Sequence, residues 1–390
     1  MRLLHTSDWH LGRSLHGHDL MAAQAAFVDA LVEVVRRERV DAVLLSGDVH
    51  DRALPPVEAM RLFGEALARF RDAGAHVVVI SGNHDAPARL GDKAGLLDPR
   101  IALLTDPSRV DRPVVLDDEH GPVAVYGIPY LEPAAVRHAL PGEDAEPLSD
   151  DPVEAGAHTR VLRRAMTAVH ADRAARGGRS VVLAHAWVVG GAASDSERDI
   201  TVGGVANVPA GLFDGVDYTA LGHLHRPQEV RPGMRYSGSP LPYSFGEAGH
   251  AKSSLLVELG RTGLSAVEEV PLPVHRCLVA LRGTLDRLLS APEHASAEDA
   301  FVAVTLTDAA KPVDAMTALR RRFPHALTLD WQPEGAPERD GRSYGERLRA
   351  RSDVEIAAAF VEHVRTEPTE GEQRLLREAL EHARREQDAA

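Results

Sequence analysis

Ala42-Val43-Leu44-Leu45-Ser46-Gly47-Asp48-Val49-His50-Asp51-Arg52 is the stretch that decides the fold. Its apolar run reads as a buried strand, and a carboxylate just past the end of such a strand sits where open α/β folds bind ligands. Gly47 lets the backbone turn tightly, and Asp48 projects hard oxygens into the crevice. Gly-Asp alone is a common turn, so its company carries the reading. Four further apolar runs end in the same manner. Leu3-Leu4-His5-Thr6-Ser7 leads to Asp8-Trp9-His10, and His76 to Ile80 leads to Ser81-Gly82-Asn83-His84-Asp85. Val181 to Ala184 leads to His185, and Tyr218 to Leu221 leads to Gly222-His223-Leu224-His225. Strand ends that converge on oxygen and nitrogen donors describe a metal site, and these donors are too many for one ion.

The bulk of the chain narrows the class. With 390 residues it can hold one large core plus smaller domains. The single cysteine, Cys277, excludes an internal disulfide framework and fits a reducing cytoplasm. Met1-Arg2-Leu3-Leu4 enters a strand without a long apolar signal region. No apolar run approaches the ~20 residues of a membrane span. A formal charge of −14 argues against a general nucleic-acid coat but not against a nuclease, because bound divalent cations reverse the local potential of an acidic site. Aromatics are too few for a wide base-stacking platform.

Strand and helix alternate over the first third. Ala23, Phe27, Ala30, Leu31 and Val34 recur at helix spacing within 20–39, and Leu62, Ala66 and Phe70 do so within 57–72, after Pro55-Pro56. A βαβαβ order predicts parallel pairing with helices on the sheet. From Ile101 to Tyr130 short apolar runs follow without a helix, which predicts antiparallel strands and a second sheet. A long helix is expected over 150–172, and strands again from Tyr218 to about Leu259. The expectation is an α/β protein: a two-sheet β-sandwich flanked by helices, with a small α/β domain and C-terminal helices. Domain boundaries are expected at 1–270, 271–335 and 336–390. Ser352-x-x-Glu355 and Thr369-x-x-Glu372 match capping boxes for the final helices. Ala357, Phe360, Val361 and Val364 form one apolar stripe there, and Leu375, Leu376, Ala379, Leu380 and Ala383 the other.

Asp8 and His10, two apart on an extended strand end, are expected to point the same way. Asp48 can bridge two ions through its two oxygens. Asn83 offers a neutral oxygen, and His185, His223 and His225 offer imidazole nitrogens. Carboxylate, amide and imidazole without thiolate suit Mn²⁺, Fe²⁺ or Zn²⁺. Two such ions about 3.5–4 Å apart are the arrangement of two-metal phosphoester hydrolysis. Each residue has a plainer reading as a core histidine or a turn, and only the ordered set is specific. Trp9 and Cys277 are expected in the core, His16 and His18 in solvent, and His50 turned away from the donors.

Asp8-x-His10, Gly47-Asp48-x-x-Asp51-Arg52, Gly82-Asn83-His84-Asp85, His185 and Gly222-His223-x-His225 together resemble the calcineurin-like metallophosphoesterases. His5 to Gly12, Ser194 to Asp199 and Ser237 to Phe245 narrow the likeness to nuclease subunits that work with an SbcC-type coiled-coil ATPase. The resemblance implies that Asp8, His10, Asp48 and His225 hold one Mn²⁺ and that Asp48, Asn83, His185 and His223 hold the other. It implies that His84 acts on the phosphate. Asp51 is expected to accept a hydrogen bond from His84 and fix its tautomer. DNA is the implied substrate, and the implied assembly is a homodimer within a heterotetramer, away from membranes. No Gly-x-x-x-x-Gly-Lys-Ser/Thr occurs, so any ATP dependence belongs to the partner. Another phosphoesterase of that kind, acting on phosphoprotein or a cyclic nucleotide, is the first rival, disfavoured by the extra domain and paired helices. A non-catalytic scaffold is the second, disfavoured by donors intact at every motif position.

Overall fold

Alternation along the central strands sets the layers. A computed structural model describes residues 1–136, 139–141, 156–198, 200, 207–334, 353–364 and 368–388. In it, Leu3, Ala42, Leu44, Val78 and Ile80 turn to one face of a sheet, while Leu4, Val43, Leu45, Val77 and Val79 turn to the other. Side chains alternate along a strand, so a run without polar breaks is covered on both faces. One cover is the helix pair Met21–Glu38 and Val57–Asp72, through Phe27, Leu31, Phe63 and Phe70. The other is a second sheet, through Val123, Val125, Val181, Leu183 and Ala220. The far face of that second sheet, with Tyr126, Val182 and Ala184, packs under helix Ala157–Arg176. The result is helix, sheet, sheet, helix, the flanked sandwich that the patterning predicts.

The first sheet runs Gly263–Pro271, Ser253–Gly260, Arg2–Thr6, Ala42–Ser46, His76–Ile80, Ile101–Leu103. Its last four strands pair in parallel, and Ser253–Gly260 joins Arg2–Thr6 antiparallel. The second runs Gln228–Arg231, Met234–Tyr236, Tyr218–Gly222, Arg179–His185, Gly121–Ile128, Val114–Asp118. Val114–Asp118 and Gly121–Ile128 form the antiparallel pair expected after Ile101. Parallel registers carry Thr6 beside Leu45, Ser46 beside Ile80, and Gly222 beside His185. With Ser46 hydrogen-bonded across to Ala220 and His185, the candidate-donor ends of five strands lie at one edge of the sandwich.

Leu278–Gly283, Phe301–Leu306 and Ala326–Trp331 form a parallel three-stranded sheet with helices Leu285–Ser290 and Ala315–Arg322. Its Leu278 and Phe301 are part of the core beneath the first sheet. Cys277 is exposed, contrary to the expected core position. Pairing begins at Leu278, which points inward, so alternation turns the preceding side chain outward.

The chain divides into two compact units, Met1–Pro333 and Glu334–Ala390. In the second, helices Asp353–Val364 and Glu370–Asp388 contact each other. The Thr369 box forms as read: its N–H and hydroxyl both donate to Glu372 Oε2 at 2.9 Å. Ser352, the start of the helix expected at 150, and the side chain of Phe360 lie outside the described residues. No helix among the described residues is long and apolar enough to cross a membrane.

Candidate metal centre

Beyond the ends of the first two parallel strands the chain stays paired as loops. Asp8 N–H donates to Gly47 O at 3.0 Å, His10 N–H to Asp48 O at 3.0 Å, and Leu11 N–H to Val49 O at 2.9 Å. These bonds fix residues 8–11 against residues 47–51. The backbone there is not the extended strand end expected for Asp8 and His10. Asp8, His10 and Asp48 have φ of 54°, 45° and 48°, and His223 has 105°. Left-handed backbone is rare for residues with a Cβ and gathers at functional sites that the surrounding structure over-determines. Here it bends Asp8 and His10 toward the other strand ends instead of along their own.

Glycines let these loops touch. Gly47 has φ of 90°, and a Cβ on it would run into the His185 ring. A Cβ on Gly82 would run into the Asp48 backbone and carboxylate. Asp85 ties the same loops together, accepting from Val49 N–H, His50 N–H and Gly82 N–H at 2.9–3.0 Å.

Asp8, His10, Asp48, His185, His223 and His225 are all at most 2 % exposed, with Asn83 and His84 half-buried beside them. The ligand atoms meet in overlapping sets, which include His10 with Asp48 and His84, and Asp8 with Asp48 and His185, and two groupings account for the remaining donors. Asp8, His10 and His225 bring ligand atoms together, with His10 Nε2 at 3.0 Å from His225 Nε2. Asn83 Oδ1 lies 2.8 Å from His185 Nε2 and 3.2 Å from His223 Nδ1. Asp48 stands between them. Its Oδ2 is 3.6 Å from His10 Nε2 and 3.6 Å from His185 Nε2. Its Oδ1 is taken by the N–H of His84 at 2.9 Å, so a single oxygen faces both groupings.

This donor set fits a pair of divalent cations. Burial pushes the His10 and His223 imidazoles well below their usual range, reinforced by neighbouring histidines, and burial also lowers His185. Neutral imidazoles are the form that binds metal. Burial raises the Asp48 carboxyl to about 8, with His84 opposing and Asp8 adding to the rise. A nearby cation reverses that logic and keeps a carboxylate ionised. His10 Nδ1 and Asn83 Nδ2 are buried without a hydrogen-bond partner. His185 Nδ1 donates to Ser46 O at 2.9 Å, which leaves its Nε2 lone pair toward Asp48 and Asn83.

His84 reaches the same centre, with its ring 4.7 Å from that of His10. Its Nδ1 donates to the main-chain oxygen of Asp51 at 2.8 Å. The expected partner, the Asp51 carboxylate, instead faces Arg13 Nε at 3.8 Å and His10 Nδ1 at 3.9 Å. The peptide group lies nearer because Asp51 N–H is held by Leu11 O, which turns the carbonyl toward His84 and the side chain toward residues 10–13.

The remaining side chains sort as follows. Trp9 is fully buried with its ring 5.4 Å from Phe27. His16 and His18 are exposed and lie against Phe245 and Phe301. His50 packs on Phe63 and stays outside the donor groupings. Patterning missed Asp85 as the clamp between loops, and it missed Glu247 and Lys252, buried behind His225. The quoted runs 194–199 and 237–245 were the only sequence signal near these two.

Residues 1–227 match the family model for calcineurin-like phosphoesterases. Residues 274–365 match a model named for SbcD and described as the type 5 capsule protein repressor C-terminal domain. Similar solved structures include one from Thermus thermophilus, at 14% identity over 69% of this chain and 98% of that one, with a TM-score of 0.39. A dimetal phosphatase from Danio rerio is 12% identical over 70% and 99%, with a TM-score of 0.40. The anchor in the inner membrane complex of Plasmodium is 11% identical over 86% and 98%, with a TM-score of 0.37. With more than half of its length matched by the first model, the chain belongs to the calcineurin-like phosphoesterase family.

Proposed function

We propose that this chain is the Mn²⁺-dependent nuclease subunit of an SbcC–SbcD-type complex, hydrolysing phosphodiester bonds at DNA ends and hairpins as exonuclease and endonuclease in repair, recombination and replication. The observation that carries the reading is the pairing, on one chain, of a phosphoesterase domain with an SbcD-type C-terminal match. Cations bound at the centre would polarise a phosphoryl oxygen and acidify water. Asp8, His10, Asp48 and His225 would hold one, and Asp48, Asn83, His185 and His223 the other. His84 is left free at Nε2 and half-exposed, the place for a group that hydrogen-bonds a phosphate oxygen or protonates the leaving one. Asp51 positions it through its carbonyl. Purified protein with Mn²⁺, assayed on hairpin DNA and on a generic phosphodiester, separates the readings. Cleavage of the small ester alone would favour another phosphoesterase, and cleavage of neither a scaffold.

Because the Asp51 carbonyl and not its carboxylate accepts from His84, Asp51→Asn is expected to leave turnover within about tenfold of wild type. A loss as large as that of a His84 variant, measured in single turnover, would return the role to the carboxylate.

A partner-binding role for the tail gives another expectation. The four hydrophobic cores of the described residues are built from residues up to Trp331. Truncation after Arg342 should therefore keep the metals and basal nuclease activity while losing the SbcC-type ATPase and ATP-dependent cleavage. Leu375 is 66% exposed while Leu376 and Leu380 are half-buried, so part of that apolar stripe stays open to a partner. Full-strength co-purification of the truncated chain with the ATPase would move the docking site to the domain from about Pro271 to Trp331.

A further inference from the structure

His225 is gripped from behind by a chain of buried polar groups that lie outside the donor motifs of this sequence. Its Nδ1 meets the Ser196 hydroxyl, and that hydroxyl donates to Glu247 Oε1. Glu247 Oε2 accepts from Lys252 Nζ. Ser196, Glu247 and Lys252 are 8%, 0% and 3% exposed. The backbone of His225 is held as well: its N–H donates to Glu197 Oε1 at 2.7 Å, and its carbonyl accepts from Lys252 Nζ at 3.0 Å. Lys252 Nζ also donates to Ser239 Oγ at 2.9 Å, so its three protons are all used.

The polarity of this chain has one solution. A buried ammonium needs a carboxylate opposite it, and an ionised Glu247 can only accept. Ser196 has one proton, and Glu247 takes it. The Ser196 oxygen can then only accept from His225, which must carry its proton on Nδ1. The Nε2 lone pair is left facing His10 and Asp8. We propose that Lys252, Glu247 and Ser196 are positioning residues that fix the metal-ready tautomer of His225 and thereby set affinity at one of the two cation positions. The runs 194–199 and 237–245 bring these groups to His225, because Ser244 and Tyr243 lead directly into Glu247 and hydrogen-bond to it. The inference rests on the metal-centre reading for its affinity consequence, while the tautomer itself is independent of any metal.

Nitrogen-15 NMR of the metal-free chain with labelled histidine reads the tautomer directly, assigned with a His225→Gln control. His225 is expected with its proton on Nδ1, and a proton on Nε2 in the wild type would overturn the relay. Mn²⁺ titration, followed by the EPR signal of free ion, reads the consequence. Ser196→Ala should weaken one of two Mn²⁺ by about 10–100-fold and leave the other unchanged, the usual loss for a missing support of a ligating histidine. Glu247→Gln is nearly isosteric, so a packing role would leave affinity intact. The relay predicts loss, since Lys252 claims the amide oxygen and turns the amide NH₂ toward Ser196, which reverses the chain. Wild-type affinity at both positions in Ser196→Ala and Glu247→Gln would sink the proposal. A wild-type chain binding fewer than two Mn²⁺ would sink the metal-centre reading, and the NMR result would still decide the relay.

Discussion

Asp48→Asn is expected to empty both cation positions while leaving the fold in place. Asp48 Oδ1 accepts from His84 N–H, so the amide of the variant must put its oxygen there. The NH₂ then occupies the point that lies 3.6 Å from both His10 Nε2 and His185 Nε2. A donor replaces an anion where both cations would share a ligand. The loss should exceed the 10–100-fold of a missing second support, on the order of 10³-fold in affinity or more. Asparagine tolerates the left-handed backbone at this position, where φ is 48°, so strain does not confuse the result. Metal analysis beside a thermal melt checks this. Two tightly held ions in the variant would remove Asp48 as the bridge.

His84→Ala should separate chemistry from metal binding. Its tie to Asp48 is a main-chain N–H, which alanine keeps, and its ring is half-buried with Nδ1 engaged by the Asp51 carbonyl. Both cations should remain, and turnover on DNA should fall about 10²–10⁴-fold, as for a lost general acid or base. Single-turnover cleavage with metal content measured on the same sample reads both. Loss of a cation would show that the His84 ring is itself a ligand, as its grouping with His10 and Asp48 would allow.

Hydropathy and turn chemistry, both local, were enough to read much of this protein. The run Ala42–Ser46 had to be buried on both faces, and the short apolar runs from Ile101 to Tyr130, with no helix between them, had to make a second, antiparallel pair. The Thr369 box follows from the same local rules. Donor residues at successive strand ends were visible for the same reason, since parallel pairing places those ends together whatever the remaining contacts are.

Other features depend on which atoms meet across long separations. Register of the loop at residues 8–11 on residues 47–51 chose a left-handed backbone for Asp8 and His10, where an extended one was read. The same register aimed the Asp51 carbonyl, not its carboxylate, at His84. Glu247 and Lys252 carry no periodicity and stand in no donor motif. Only the packing of residues 237–252 behind His225 gives them a role. Sequence determined the layers and the placing of candidate donors at strand ends, because burial and turns are set within a few residues. Tertiary structure decided which oxygen of Asp48 faces both donor groupings and which atom of Asp51 meets His84, because a hydrogen bond is directional and its partner is fixed only when the loops are in register.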